Sequence, residues 1–212
     1  AILYDQASPY STGLAEEFRK AFESMGGTVT TEQAYTAGDQ DFTAQLTTIR
    51  GTQPDAIFIP GYYTDVANIA LQVRKLGLSM PLLGGDGWDS SKLVEIAGEA
   101  IEGCYYSNHY SHQDPSPRVR DFISKYEAEY GATPDGLAAL GYDAAMLLFD
   151  AMRRTESLSG EDLAAAIAAT RDFEGVTGTI TIDQDRNAVK SAVMLQIRDG
   201  EPTFVRTIEP VK

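Results

Sequence analysis

Apolar positions along the first half of the chain alternate between two periods. Residues 1–4 are a short apolar run. After a polar turn, Leu14, Phe18, Phe22 and Met25 fall at the spacing of a helix face, which Gly26-Gly27 ends. Residues 29–35 predict a strand, interrupted by Thr and Glu. Asp41 suits the N-cap of a helix carrying Phe42, Leu46 and Ile49 on one face, stopped by Gly51. Residues 55–60 form a continuous apolar strand of the kind covered on both faces. Val66, Ile69, Ala70, Val73 and Leu76 predict the next helix, with Gly77 just beyond its end. A strand at 81–83, a helix capped by Asp89 or Ser90 and running through Ile96, and an extended segment at 103–110 complete the series. This beat predicts an α/β fold: a parallel, right-handed, doubly wound sheet with helices on both faces.

The beat breaks after His112. Asp114-Pro115-Ser116-Pro117 reads as a linker turn, and three helical patterns follow near 117–130, 136–153 and 160–170. Only 178–182 and 188–197, joined by the polar turn 183–187, and a last segment at 203–208 look extended. Three amphipathic helices with so few strands lack a sheet to cover. The expectation is that the missing sheet lies outside this chain or comes from another one.

Composition narrows the chemistry. The chain has 212 residues, 43% of them hydrophobic, which is enough to bury a substantial core. Its formal net charge is −14, with acids spread over both halves, so binding to nucleic acid or to anionic lipid is disfavoured. Cys104 is the only cysteine, which excludes an internal disulfide and cysteine-rich metal sites. The longest apolar runs are far too short to span a bilayer. The chain opens directly on a strand pattern, so the expectation is that sequence upstream of Ala1 is missing.

Ligands of open α/β sheets sit outside the carboxyl ends of the strands, here the loops at 5–11, 61–65 and 84–89. These loops carry Tyr10, then Tyr62 and Tyr63, then Asp86 and Trp88. A carboxylate beside aromatic faces suits an ammonium group, through ion pairing and cation–π attraction. The plainer reading of the same residues is ordinary loop aromatics and helix caps. Nucleophile elbows, phosphate loops and zinc-helix motifs are missing from the sequence, and no cofactor is expected. Cys104 and His109 would point to opposite faces of one strand, so Cys104 reads as a packed thiol and His109 and His112 as part of a crossover. Asp183, Asp185 and Asn187 match the opening of a calcium loop. Ala188 and Met194 stand where that loop needs Gly and Glu, so a hairpin turn is the better reading and no metal is expected.

Taken in order, Tyr4-Asp5…Tyr10-Ser11-Thr12-Gly13-Leu14-Ala15, Thr36-Ala37-Gly38-Asp39-Gln40-Asp41-Phe42, Pro60-Gly61-Tyr62-Tyr63 and Gly85-Asp86-Gly87-Trp88 resemble the Leu/Ile/Val-binding family of type I periplasmic solute-binding proteins. The likeness continues through Ile96-Ala97-Gly98, Gly141-Tyr142-Asp143-Ala144 and Thr177-Gly178-Thr179-Ile180, and so spans nearly the whole chain. The resemblance implies two α/β lobes that clamp an amino acid without chemistry and deliver it to the membrane permease of an ATP-driven importer. It implies residence in the periplasm or on the outer face of a bacterial cell. Residues 1–108 and 190–212 would form the second lobe, and 109–189 part of the first, whose N-terminal sheet segment has no counterpart here. The incomplete lobe implies association with another chain or segment. By the same resemblance Tyr10 and Tyr62 line the ligand and Asp86 pairs with its ammonium; Tyr63 and Trp88 are expected at the ligand from their place in the loops. Ser11 replaces a commoner Gly. Two other readings share these residues: a ligand-sensing receptor domain of the same fold, and an α/β enzyme acting on amino-acid-like or amide substrates. The enzyme would need a nucleophile and a base in the loops, where neither histidine lies.

Overall fold

The computed structural model describes residues 1–210 and divides into two compact units, Ala1–Ser107 with Leu195–Thr203, and Asn108–Met194 with the stretch that begins at Phe204. The last two residues of the expected 190–212 segment lie outside the described residues.

In the first unit the alternating beat becomes β1 (Ile2–Asp5), α1 (Pro9–Ser24), β2 (Glu32–Tyr35), α2 (Thr43–Gly51), β3 (Ile57–Phe58), α3 (Tyr63–Lys75), β4 (Leu82–Gly84), α4 (Ser91–Ala97) and β5 (Tyr105–Asn108). The seven-stranded sheet also takes in β9 (Ala192–Arg198) and β10 (Glu201–Ile208), in the order β10-β9-β5-β4-β3-β1-β2. The four pairings among β1 to β5 are parallel. Ile2, Leu3, Ile57, Ile59 and Leu82 are completely buried, as expected of strands covered by helices on both faces. Helix ends follow local chemistry. Ser8 caps α1 through the Ser11 amide, Ser90 caps α4 through the Lys92 amide, and Gly26 and Gly77 adopt the left-handed conformation just past α1 and α3. Arg74 ties α3 to its surroundings, donating to the carbonyls of Ala100, Leu78 and Met80 and to Cys104 Sγ. Cys104 is accordingly a packed thiol, and burial pushes its pKa up.

The second unit holds α5 (Pro117–Tyr130), α6 (Gly136–Arg154) and α7 (Gly160–Ala168) with a small antiparallel sheet of β6 (Phe173–Gly175), β7 (Gly178–Ile182) and β8 (Ala188–Val189). The sheet covers part of what the sequence left bare: Leu147 of α6 packs on Ile180 and Ile182, with Ile167 and Phe173 at the edge. A second cluster joins Tyr110, Val119, Phe122, Ala139 and Val176. Asp183 Oδ1 accepts from the amides of Asp185 and Asn187, so 183–187 is the hairpin turn between β7 and β8. The extended run expected at 188–197 splits at Lys190–Ser191. There the Lys190 ammonium donates to the carbonyls of His109, Thr177 and Ser191. Buried Asp143 holds the neighbouring turn, accepting from the Val176 and Thr177 amides and the Thr177 hydroxyl.

Candidate functional site

The loops that follow β1, β3 and β4 meet at the carboxyl edge of the first unit's sheet. Asp5 ends β1 inside the protein. Its carboxylate accepts from the amides of Ala7 and Ala37, and its own amide donates to Ser11 Oγ at 2.9 Å. Ser11 is therefore buried as a lock on this loop, which fixes the first turn of α1 and with it Tyr10. The sequence signal for that role was only a serine at a turn, and the partner amide lies six residues back.

Tyr10 is the centre of the arrangement. Its hydroxyl donates to Asp86 Oδ1 at 2.8 Å and accepts from the Gly87 amide at 2.9 Å. Burial, followed by the nearby Asp86 charge, raises the Tyr10 pKa well above the ordinary phenol range, which keeps the hydroxyl protonated as a donor. The Tyr10 ring stacks on Tyr62, with centroids 5.0 Å apart. Tyr62 is the N-cap residue of α3, and its side chain is 53% exposed. Three of the five site residues read from the sequence, Tyr10, Tyr62 and Asp86, thus come together although up to 76 residues separate them. Tyr63 is half-buried in the first turn of α3, within electrostatic reach of Lys92 on α4.

Trp88 is a correction. It was expected to offer its ring to a ligand, yet it is only 1% exposed. The reason is a glycine at the end of β4: a Cβ at Gly84 would strike the Trp88 ring, and the empty space there admits the indole. Its Nε1 donates to the Ile59 carbonyl at 3.0 Å. Asp86 to Trp88 form a single 3-10 turn, steadied further along where the Tyr106 hydroxyl donates to Asp89 Oδ1. Gly87 faces the Gly61 carbonyl and the Tyr10 hydroxyl so closely that a side chain there would displace them.

The result is a carboxylate held by a phenol donor beside two stacked rings, an arrangement suited to an ammonium group. Cys104 lies in the core, and His109 and His112 belong to the second unit. Among the described residues no cluster of His, Cys, Asp or Glu could hold a metal ion.

Known proteins with this pattern agree on a family. The family model for periplasmic binding proteins matches residues 1–202. A Leu/Ile/Val-binding protein homologue of Brucella abortus is 28% identical over 204 residues, 95% of this chain and 54% of that protein. A leucine-, isoleucine-, valine-, threonine- and alanine-binding protein of Pseudomonas aeruginosa is 26% identical over 87% of this chain and 48% of its own length. The crystal structure of the leucine-binding protein LivK from Thermotoga maritima superimposes with a TM-score of 0.93 at 41% identity, covering 99% of this chain and 60% of that one. LivJ from Streptococcus pneumoniae, solved with isoleucine, gives a TM-score of 0.86 at 33% identity over the same shares. The chain spans about half the length of these curated relatives. With the parallel sheet, the loops at its carboxyl edge and the match over residues 1–202, this chain belongs to the periplasmic binding protein family, in the group that includes the Leu/Ile/Val-binding proteins.

Proposed function

We propose that this chain supplies one jaw of a non-enzymatic amino-acid-binding protein that works outside the cytoplasmic membrane and hands its ligand to the permease of an ATP-driven importer. The observation that carries the reading is the Tyr10–Asp86 hydrogen bond beside the Tyr10–Tyr62 stack. In this reading Asp86 pairs with the ligand ammonium, and the two rings cover the cation and the adjoining carbons. The first unit serves as this jaw and the second unit as part of the opposing lobe. Hinge closure of the lobes then dries the ligand and presents a closed form to the permease. The relatives named for leucine, isoleucine and valine favour branched-chain amino acids as the substrate class.

Calorimetric titration of the whole protein, with both lobes present, against a panel of amino acids tests the proposal. Removing one partner of a buried ion pair costs about 3–5 kcal/mol, so Asp86→Asn is expected to weaken binding by roughly two to three orders of magnitude. Asp183→Asn in the hairpin turn and His112→Ala are expected to leave affinity unchanged. An Asp86→Asn protein with normal affinity removes the ammonium pocket.

A further inference from the structure

We propose that Trp88 is the positioning residue of this pocket: through one backbone carbonyl it couples the turn bearing Asp86 to the bend that presents Tyr62. The inference rests on the amino-acid-pocket reading and adds a role that neither exposure nor ligand contact explains.

The Ile59 carbonyl is the shared point. It accepts from the Gly61 amide at 2.9 Å, which closes the bend launching Tyr62 and α3, and from Trp88 Nε1 at 3.0 Å. Ile59 is itself fixed in the sheet, its amide donating to the Leu83 carbonyl at 2.8 Å. The bend cannot relax toward the protein, because Gly61 lies against the hydroxyl of fully buried Tyr35 and has no room for a side chain. The Gly61 carbonyl in turn occupies the space where a side chain on Gly87 would fall, and the Gly87 amide donates to the Tyr10 hydroxyl that holds Asp86. The indole thus closes a ring of contacts running Asp86, Tyr10, Gly87, Gly61, Ile59, Trp88. A buried two-ring side chain with its single donor engaged is a rigid strut, and a pocket is only as well placed as the shell behind it. Trp88 touches no ligand in this scheme and acts through Asp86 and Tyr62.

Two replacements separate shape from the donor. Trp88→Phe loses the N–H and part of the ring volume. Incorporating β-(3-benzothienyl)alanine at position 88 keeps the two-ring outline and puts sulfur where the N–H was. The Ile59 carbonyl retains the Gly61 amide in both, so the benzothienyl chain should keep a urea unfolding midpoint close to that of the wild type. With L-leucine as probe and both lobes present, each variant is expected to bind about tenfold more weakly, because the turn bearing Asp86 and the bend bearing Tyr62 are no longer tied together. Backbone amide resonances of Asp86, Gly87, Gly61 and Tyr62 should shift together, while those of Leu46 and Ile49 in α2 stay in place. Should Trp88→Phe fail to fold, the benzothienyl chain decides the matter. Affinity within about twofold of wild type for that variant overturns the positioning role. So does an unchanged Tyr62 amide. A folded whole protein, with both lobes present, that shows no binding of L-leucine removes the pocket reading and this role with it. A wild type that binds L-leucine, with variants that bind equally, removes the positioning role alone.

Discussion

Tyr10 shows how much of a side chain's role lies in partners that its place along the chain does not reveal. Its place in a loop at the carboxyl end of a strand marked it as ligand-facing, but its hydroxyl is engaged on both sides within the protein. What it can offer a ligand is its ring face, and what it does for Asp86 is orientation. Tyr10→Phe keeps the ring and the stack on Tyr62 while removing a donor to a carboxylate. Hydrogen bonds to charged groups contribute about 1.5–3 kcal/mol, so amino-acid affinity should fall by roughly an order of magnitude or more. Tyr62→Phe, at an exposed ring, should cost less than about tenfold. Calorimetry on the pair checks the order, and a larger loss at Tyr62 would reverse the assignment of roles. The residues that sequence reading missed, Ser11, Asp5 and Asp143, share one feature. Each is a small polar side chain whose meaning lies in a backbone amide elsewhere, as far as 34 residues away for Asp143 and Thr177. No spacing rule along the chain encodes such a partner. Trp88 was misjudged for a related reason: whether an aromatic in a loop faces in or out depends on the space above Gly84, which periodicity does not report.

At the scale of elements, legibility followed burial. Strands covered on both faces and helices with one apolar stripe announced themselves, and serine caps and left-handed glycines marked their ends. β6 gave no signal, being three residues long and half-exposed, and it exists because β7 pairs with it. The break at Lys190 was equally silent, since a lysine in an extended run normally points to water. Here burial pushes its pKa down to about 8, against the pull of the Asp143 carboxylate in the opposite direction. A base with a lowered folded-state pKa binds fewer protons folded than unfolded between about 8 and the ordinary lysine value near 10.4. Folding stability should therefore carry a penalty from Lys190 below pH 8 that is relieved as the pH rises through that window. Lys190→Met removes the ammonium and its three carbonyl bonds. Urea denaturation at pH 7 and pH 10 should show wild type gaining stability relative to Lys190→Met at the higher pH. A difference between the two proteins that does not change with pH would mean that the ammonium titrates as it would in water.

For the whole molecule, the open issue is the outer surface of the second unit. The small sheet of β6, β7 and β8 engages the face of α6 that carries Leu147, but the helix leaves Leu137 67% exposed and Phe149 50% exposed. Gly141 and Ala144 continue the line from Leu137 at helical spacing, and both are exposed. Burying one large apolar side chain is worth roughly 1.5–3 kcal/mol, so leaving Leu137 and Phe149 in water forgoes roughly 3–6 kcal/mol, a sizeable part of the stability of a domain. The flank of α6 that carries Leu137 and Phe149 thus stands in water in this structure. We propose that in the whole protein it is covered by the lobe segment that the longer relatives possess, since this chain spans only 60% of LivK. Expressed alone, the 212-residue chain should bind a hydrophobic dye such as anilinonaphthalene sulfonate and self-associate as its concentration rises. Leu137→Glu with Phe149→Glu changes two exposed positions, so it should leave the unfolding midpoint nearly unchanged while reducing both dye binding and association in sedimentation experiments. Adding the upstream segment of a close relative in trans should compete with the dye for the wild-type chain and not for the double variant. A wild-type chain that sediments as a monomer and leaves the dye dark shows that α6 tolerates water on this flank, and the proposal that a further segment covers it fails.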